Sequence, residues 1–304
     1  MLKPHPEPHM PQNAKTTLAG AMTEVAGRLR HAGLETPELD ARLLLCSACR
    51  VSHESLLRES GRILLADERA RLDGFCERRL GGEPVSRIVG RREFWGREFA
   101  VTSATLDPRA DSETLIEAAL ALTQGREPPS EILDLGTGTG CLLISLLGEF
   151  PGATGVGIDA SEEALAVARA NAERLGFAGR ARFVRGDWLV GQEGRYGLVV
   201  ANPPYIPSTD LAGLAPEVAK HDPRRALDGG PDGLEAYRRI AENLETVLAP
   251  GGLVLLEIGA GQSEAVLAVF GACGFASLGS ENGLWKDLGG HVRCVALARP
   301  GTRG

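Results

Sequence analysis

Two different spacings of apolar positions divide the chain. From Thr17 to about Leu80 they recur three and four apart, so that Leu18, Met22, Val25 and Leu29 share one helical face. Pro37 suits the first turn of a second helix carrying Leu39, Leu43, Leu44 and Leu45. Ser52 is placed to cap a short third helix, and Asp67 a fourth that runs through Leu72, Phe75 and Leu80. The pattern predicts a small helical bundle, ended by Gly81-Gly82-Glu83-Pro84. Glu93 to Val101 then reads as two short strands around Gly96, a hairpin joining two domains. Another helix is expected over Thr114 to Leu122.

From Glu131 onward, short continuous apolar runs alternate with helical stretches. Strands are expected near 131–135, 154–159, 181–186, 197–201, 252–258 and 291–298, with helices near 141–149, 161–175, 233–248 and 262–273. Such alternation predicts βαβ units on a mostly parallel sheet, an α/β fold. His291 to Ala298 follows no helix, which leaves it free to run antiparallel. The expected division is a tail over 1–16, a helical domain over 17–90, a hairpin linker over 91–108 and an α/β domain over 109–304.

Composition narrows the class. The 304 residues are 43% hydrophobic and 24% charged, an ordinary globular balance. No apolar run approaches the roughly 18 residues needed to span a membrane. Met1 to Lys15 holds four prolines and no apolar segment, so it reads as a disordered tail and neither a signal peptide nor a strand. A net charge of −7 weighs against a duplex-DNA substrate, which usually requires a basic footprint. The six cysteines lie in apolar or helical contexts, as expected of reduced thiols in the cytosol. Cys46 and Cys49 have CxxC spacing, but no second pair or histidine array accompanies them, so they read as small buried hydrophobes. No metal site is expected.

Four motifs at strand ends carry the candidate chemistry. Gly136-Thr137-Gly138-Thr139-Gly140 follows the strand at 131–135, and its glycines let the backbone approach a ligand closely. The spacing is neither the dinucleotide GxGxxG nor a P-loop. Asp159 ends the next strand; an acidic residue there can bind two ribose hydroxyls, or cap the following helix, a role also open to Ser161. Asp187 and Trp188 end the third strand, where they would flank a purine ring or simply form a turn. Asn202-Pro203-Pro204-Tyr205 ends the fourth. Its two prolines fix the backbone and remove two donors. The Asn202 side-chain oxygen and the Pro203 carbonyl can then accept both hydrogens of a primary amide or amine, with Tyr205 as a flat wall. Ligands of open α/β sheets bind beyond the carboxyl ends of the strands, so the glycine loop and the Asn-Pro-Pro-Tyr loop can line one crevice. That combination suggests methyl transfer to a planar nitrogen.

Together the four elements resemble class I S-adenosylmethionine-dependent methyltransferases, whose amide- and amine-methylating members carry Asn/Asp-Pro-Pro-Tyr. Further blocks narrow the resemblance. Pro84-Val85-Ser86-Arg87-Ile88-Val89-Gly90, Glu93-Phe94-Trp95-Gly96, Asp107-Pro108-Arg109 and Asp111-Ser112-Glu113 look like the protein-glutamine methyltransferases that modify peptide chain release factors. So do Glu217-Val218, Asp222-Pro223, Ala226-Leu227-Asp228-Gly229-Gly230 and Asp232-Gly233-Leu234. The match runs from about residue 18 to 298. Two departures stand out: Ala110 replaces the second proline of the family's Ile-Pro-Arg-Pro, and Gly290-His291-Val292-Arg293 stands where Gly-Arg-Asp-Arg is usual.

The resemblance implies a Rossmann-like sheet with S-adenosylmethionine held by Gly136 to Gly140, Asp159, Asp187, Trp188 and Asn202. It implies catalysis at Asn202, Pro203, Pro204 and Tyr205, on the glutamine of a release factor's Gly-Gly-Gln motif, in the cytoplasm. The helical domain becomes the substrate-recognition element, with neither DNA nor membrane as partner. DNA adenine methylation shares the Asn-Pro-Pro-Tyr logic, since a flipped adenine presents a similar amino group. The acidic balance and the lack of a target-recognition insert count against it. Glutamine methylation of a ribosomal protein is a nearer alternative, against which Asp111-Ser112-Glu113 favours the release-factor branch.

Overall fold

A computed structural model of the chain describes residues 16–279 and 283–300. The expected tail over 1–16 lies, apart from Thr16, outside the described residues. The chain forms two compact units, Met1–Val89 and Gly90–Gly304.

The first unit is helical: α1 (Leu18–His31), α2 (Pro37–Cys49), α3 (His53–Arg58), α4 (Ala66–Leu80) and α5 (Val85–Val89). Leu18, Val25 and Leu29 of α1 are buried with Leu44, Leu45 and Leu72, as helical spacing requires. Pro37 opens α2, and Ser52 caps α3 by accepting from the Ser55 amide. Asp67 does not cap α4. The cap position is Leu65, whose amide donates to Glu68, while Asp67 sits in the first turn and pairs with Arg71 one turn on. A leucine has no side-chain acceptor, so the N3 carboxylate takes half of the usual capping box alone. Cys46, Cys49 and Cys76 are buried, as small hydrophobes are.

The second unit begins with a hairpin, β1 (Arg91–Phe94) and β2 (Arg97–Ala100). Its alternating fabric continues with α6 (Glu113–Thr123), β3 (Glu131–Leu135), α7 (Cys141–Glu149), β4 (Thr154–Asp159), α8 (Glu162–Arg174) and β5 (Ala181–Arg185). After it come β6 (Tyr196–Ala201), α9 (Pro216–His221), α10 (Glu235–Val247), β7 (Leu248–Glu257) and α11 (Ser263–Ala272). Three strands close the unit: β8 (Ala276–Ser277), β9 (Leu284–Lys286) and β10 (Val292–Ala298). The large sheet runs β5-β4-β3-β6-β7-β10-β8, with β9 beside β10. The first five strands are parallel, and β10 enters antiparallel against β7.

Successive strand residues feed two different cores. Ile132, Leu198, Val200 and Leu255 face a cluster with α6, α7 and α8, whereas Leu133, Val199, Val254 and Leu256 face one with α10 and α11. Burial on both faces explains the unbroken apolar runs. Phe94 and Phe99 of the hairpin meet edge to face at 6.3 Å and join the first of these clusters. The segment expected as a linker is thus partly core. Asn171 of α8, fully buried, ties it down: its oxygen accepts from the Ala100 amide, and its Nδ2 donates to the carbonyls of Ala100 and Thr139. No helix among the described residues is long and apolar enough to cross a membrane.

Asn171→Ala removes these three hydrogen bonds to the backbone, together with one that Oδ1 accepts from Arg174 at 3.2 Å, and orphans buried backbone groups. It should destabilise the second unit by about 2–4 kcal/mol in urea unfolding; a change below about 0.5 kcal/mol would mean the hairpin is held without Asn171.

Candidate active site

Chain direction within the sheet reverses between β3 and β6. From β3 the chain moves outward through β4 and β5, then returns to the other side of β3 as β6. Leu135 and Ala201 are register partners, so Gly136 and Asn202 leave the sheet side by side. A Cβ placed on Gly136 would lie 4.0 Å from the Asn202 carbonyl oxygen. Such a switch point opens a crevice. A cavity of about 570 Å³ occupies it, a size typical of small-molecule sites. Gly136, Thr137, Gly138 and Thr139 line one wall, with Asp159, Asp187 and Trp188 beside them and Asn202 and Pro204 opposite.

The glycine loop is wound by its conformation. Gly136, Gly138 and Gly140 have φ of 72°, 54° and 78°, which an L side chain rarely adopts. The amides of Gly136 and Thr137 both donate to the Ile158 carbonyl, at 2.8 and 2.9 Å. Gly140 lies outside the cavity lining: a Cβ there would press on Ala168, Ile144 and Phe183, so it serves close helix-to-strand packing. Thr137 Oγ1 donates to Asp134 at 2.6 Å beneath the loop. Burial pushes Asp134 up to about 7, against the opposing hydrogen bond from Thr137.

Asp159 is not the helix cap. Ser161 takes that role by accepting from the Ala164 amide, while Asp159 accepts from the Gly138 amide at 3.0 Å and the Ser161 amide at 2.9 Å. Each oxygen is held by one amide and keeps a free lone pair, since a carboxylate offers about four acceptor positions. Asp187 pairs with Arg239 at the cavity rim, both of them about half exposed. Trp188 adopts a left-handed backbone, φ 51°, and its ring lies 3.7 Å from the position of a Gly136 Cβ.

Beyond β6, Asn202 lies half-buried and Pro203 buried. Asn202 Nδ2 donates to Ser112 Oγ at 3.0 Å, and Ser112 Oγ donates to Glu257 Oε2 at 2.5 Å. Glu257 ends β7 and is buried; desolvation pushes its carboxyl up to about 7, opposed by Ser112. Tyr205 is held by its backbone, whose carbonyl accepts from Gln262 Nε2 at 2.9 Å. A Cβ on Gly259 would approach its ring to 3.0 Å. Burial, with the Glu257 charge second, drives the Tyr205 phenol up to about 12. Neither Pro203 nor Tyr205 lines the cavity itself.

Several contributors are absent from the sequence reading of the site. Ser112 belongs to a block that carries the family resemblance but signals no role of its own, and Glu257 ends an apolar run that signals only a strand. Arg109, Arg225 and Arg239 reach the cavity wall from distant segments; Arg109 is held by Asp222 at 2.6 Å. No spacing rule joins such positions. Among the described residues no cluster of metal-ligating side chains occurs.

Known proteins resemble the chain along nearly its whole length. The PrmC N-terminal domain family matches residues 20–90, and a methyltransferase domain family matches 127–266. The release factor glutamine methyltransferase of Rhodospirillum rubrum is 46% identical over 90% of this chain and 82% of its own. That of Caulobacter vibrioides is 45% identical over 92% and 95%. Among solved structures, the ribosomal protein L11 methylase from Lactobacillus delbrueckii subsp. bulgaricus superposes with a TM-score of 0.44 at 18% identity, covering 66% of this chain and 85% of its own.

Asp159→Ala deletes the one carboxylate held at the loop by two amides. S-adenosylmethionine affinity should fall by about 1–3 kcal/mol in calorimetry, the range for hydrogen bonds to a charged group. An unchanged affinity would confine Asp159 to bracing the glycine loop.

Proposed function

Because the chain belongs to the release factor glutamine methyltransferases, we propose that it methylates the side-chain amide nitrogen of the glutamine in a release factor's Gly-Gly-Gln motif. S-adenosylmethionine is the methyl donor; its sulfonium supplies a methyl group already activated for transfer. The cavity suits it. Asp159 offers two fixed acceptors for a ribose, the left-handed glycine loop admits close backbone approach, and Trp188 with Ile158 provides an apolar wall for a purine.

The observation that carries the reading is the state of Asn202. Its Nδ2 is spent on Ser112, which leaves Oδ1 as an acceptor at the mouth of the switch point. An amide nitrogen is a poor nucleophile, because its lone pair is delocalised into the carbonyl. Oδ1 and the Pro203 carbonyl accept its two hydrogens and so hold the lone pair toward the methyl group. Alignment supplies much of what remains. Strong base is unnecessary, since the methylated nitrogen loses its proton readily. Tyr205, with its phenol pushed up to about 12, stays protonated and acts as a wall for the planar amide.

The helical unit is the release-factor recognition element in this reading. Contacts remote from the chemistry can supply orientation at the reacting centre. Its core is closed by its own five helices, so it can present a surface of fixed shape. The reaction belongs to the cytoplasm, where termination occurs.

Partition of a radiolabelled methyl group among purified release factor, ribosomal proteins and plasmid DNA tests the assignment. Label should enter the release factor alone; label in a ribosomal protein or in DNA would replace the reading. Asn202→Ala should lower the rate by at least about a hundredfold, near the loss for one oriented transition-state hydrogen bond, with cofactor affinity nearly intact. Near-normal turnover would remove Asn202 from the chemistry. A fragment starting at Gly90 should keep cofactor affinity yet methylate the full-length factor far more slowly. If turnover also survives, recognition lies elsewhere.

A further inference from the structure

Asn202 can serve a substrate amide only one way round. Its Oδ1 and Nδ2 ends are nearly the same shape, and a flipped side chain would meet the substrate's N–H groups with donors of its own. Something must therefore fix the flip. Three elements converge on the Nδ2 end: the turn before α6 brings Ser112, the end of β7 brings Glu257, and the end of β6 brings Asn202 itself. Leu256 is the register partner of Ala201, so Glu257 and Asn202 are the next residues of adjacent strands. Ser112 and Glu257 are 3% and 2% exposed, so water does not compete for these groups.

We propose that Glu257, acting through Ser112, is the positioning residue that holds the acceptor oxygen of Asn202 toward the substrate amide, a deepening that rests on the function just proposed. Donors and acceptors decide the orientation. An ionised carboxylate can only accept, so the single hydroxyl proton of Ser112 is committed to Glu257 at 2.5 Å. Ser112 Oγ then has only lone pairs left, and these can receive only a donor. The Nδ2 end of Asn202 supplies it at 3.0 Å. Oδ1 is turned outward by exclusion.

Protonation reverses the chain. A neutral Glu257 can donate to Ser112 Oγ, Ser112 can then donate to Oδ1, and Nδ2 would face the substrate. Burial pushes this carboxyl up to about 7, so the carboxylate form, and with it the correct flip, is gained as pH rises through that range. The charged groups facing Glu257 are Asp111, which pairs with Arg293 at 3.1 Å, and Arg293 itself, which also pairs with Asp287. Tyr205 and Tyr237, Cys141 on α7 and Cys294 on β10 are all pushed upward by burial, away from neutrality. Asp134 on β3 is a second buried carboxyl near 7 and must be told apart.

The test uses full-length protein, S-adenosylmethionine and an intact release factor. Wild-type kcat should rise with pH to a plateau, with an apparent pKa near that of Glu257. Glu257→Gln keeps the shape and removes the charge. Its kcat should be lower by about tenfold or more at pH 8, the loss of one oriented hydrogen bond, and the pH step should vanish. Ser112→Ala should show a similar fall in kcat, with KM for the release factor and cofactor affinity each within about twofold. A Glu257→Gln enzyme that keeps the step would assign it to Asp134 and overturn the proposal. So would full kcat in Ser112→Ala. Should Glu257→Gln fail to fold, Ser112→Ala, with cofactor affinity as its folding control, still decides. A wild-type enzyme that transfers no methyl to release-factor glutamine would instead defeat the underlying function.

Discussion

The register of β3 against β6 is the constraint on which the rest depends. Because Leu135 stands beside Ala201, the glycine loop and the Asn-Pro-Pro-Tyr loop emerge as neighbours although 66 positions separate Gly136 from Asn202. A slip of one residue would turn every strand side chain to the opposite face and exchange the two apolar cores. It would also part the loops. Register is strongly held here because both faces of each strand are buried, α7 and α8 on one side and α10 and α11 on the other. Cofactor geometry and acceptor geometry are thus set by the same hydrogen-bond ladder.

Much of this is legible in the sequence, for a physical reason. Parallel strands covered on both faces must be apolar throughout, so β3, β4, β6 and β7 announce themselves as runs, and the glycines and prolines that end them mark the crevice. Helix α9 and strands β8 and β9 carry too few apolar positions to show. Propensity favours aspartate at a cap and so points to Asp67, whereas in the fold Glu68 reaches back to the Leu65 amide and draws Arg62 with it. Glu257 is hidden for the opposite reason. It stands at the end of the run Leu253 to Leu256, where nothing local distinguishes a strand-end acid, and its partner Ser112 is 145 positions away. Pairings across such separations are set by topology and not by spacing.

Buried acids here cost the fold stability above their raised pKa. Glu257 and Asp134 both bind protons more readily in the folded chain than in the unfolded one. Their contribution to stability is therefore fullest below the ordinary carboxylate range, near pH 4, and is lost as pH rises through about 7. Replacing either by an apolar residue would suit the fold better. Each is instead tied to a hydroxyl that touches a loop of the site, Ser112 in one case and Thr137 in the other. Stability is given up where a donor or acceptor must point one way.

Peptide-level mass spectrometry of the release factors, taken from cells with and without this chain, reaches the central claim most directly. The account predicts one added methyl group on the glutamine of the Gly-Gly-Gln motif, present only when the chain is present and lost when Asn202 is replaced by alanine. Release factors whose glutamine is equally unmodified in both cells would contradict it.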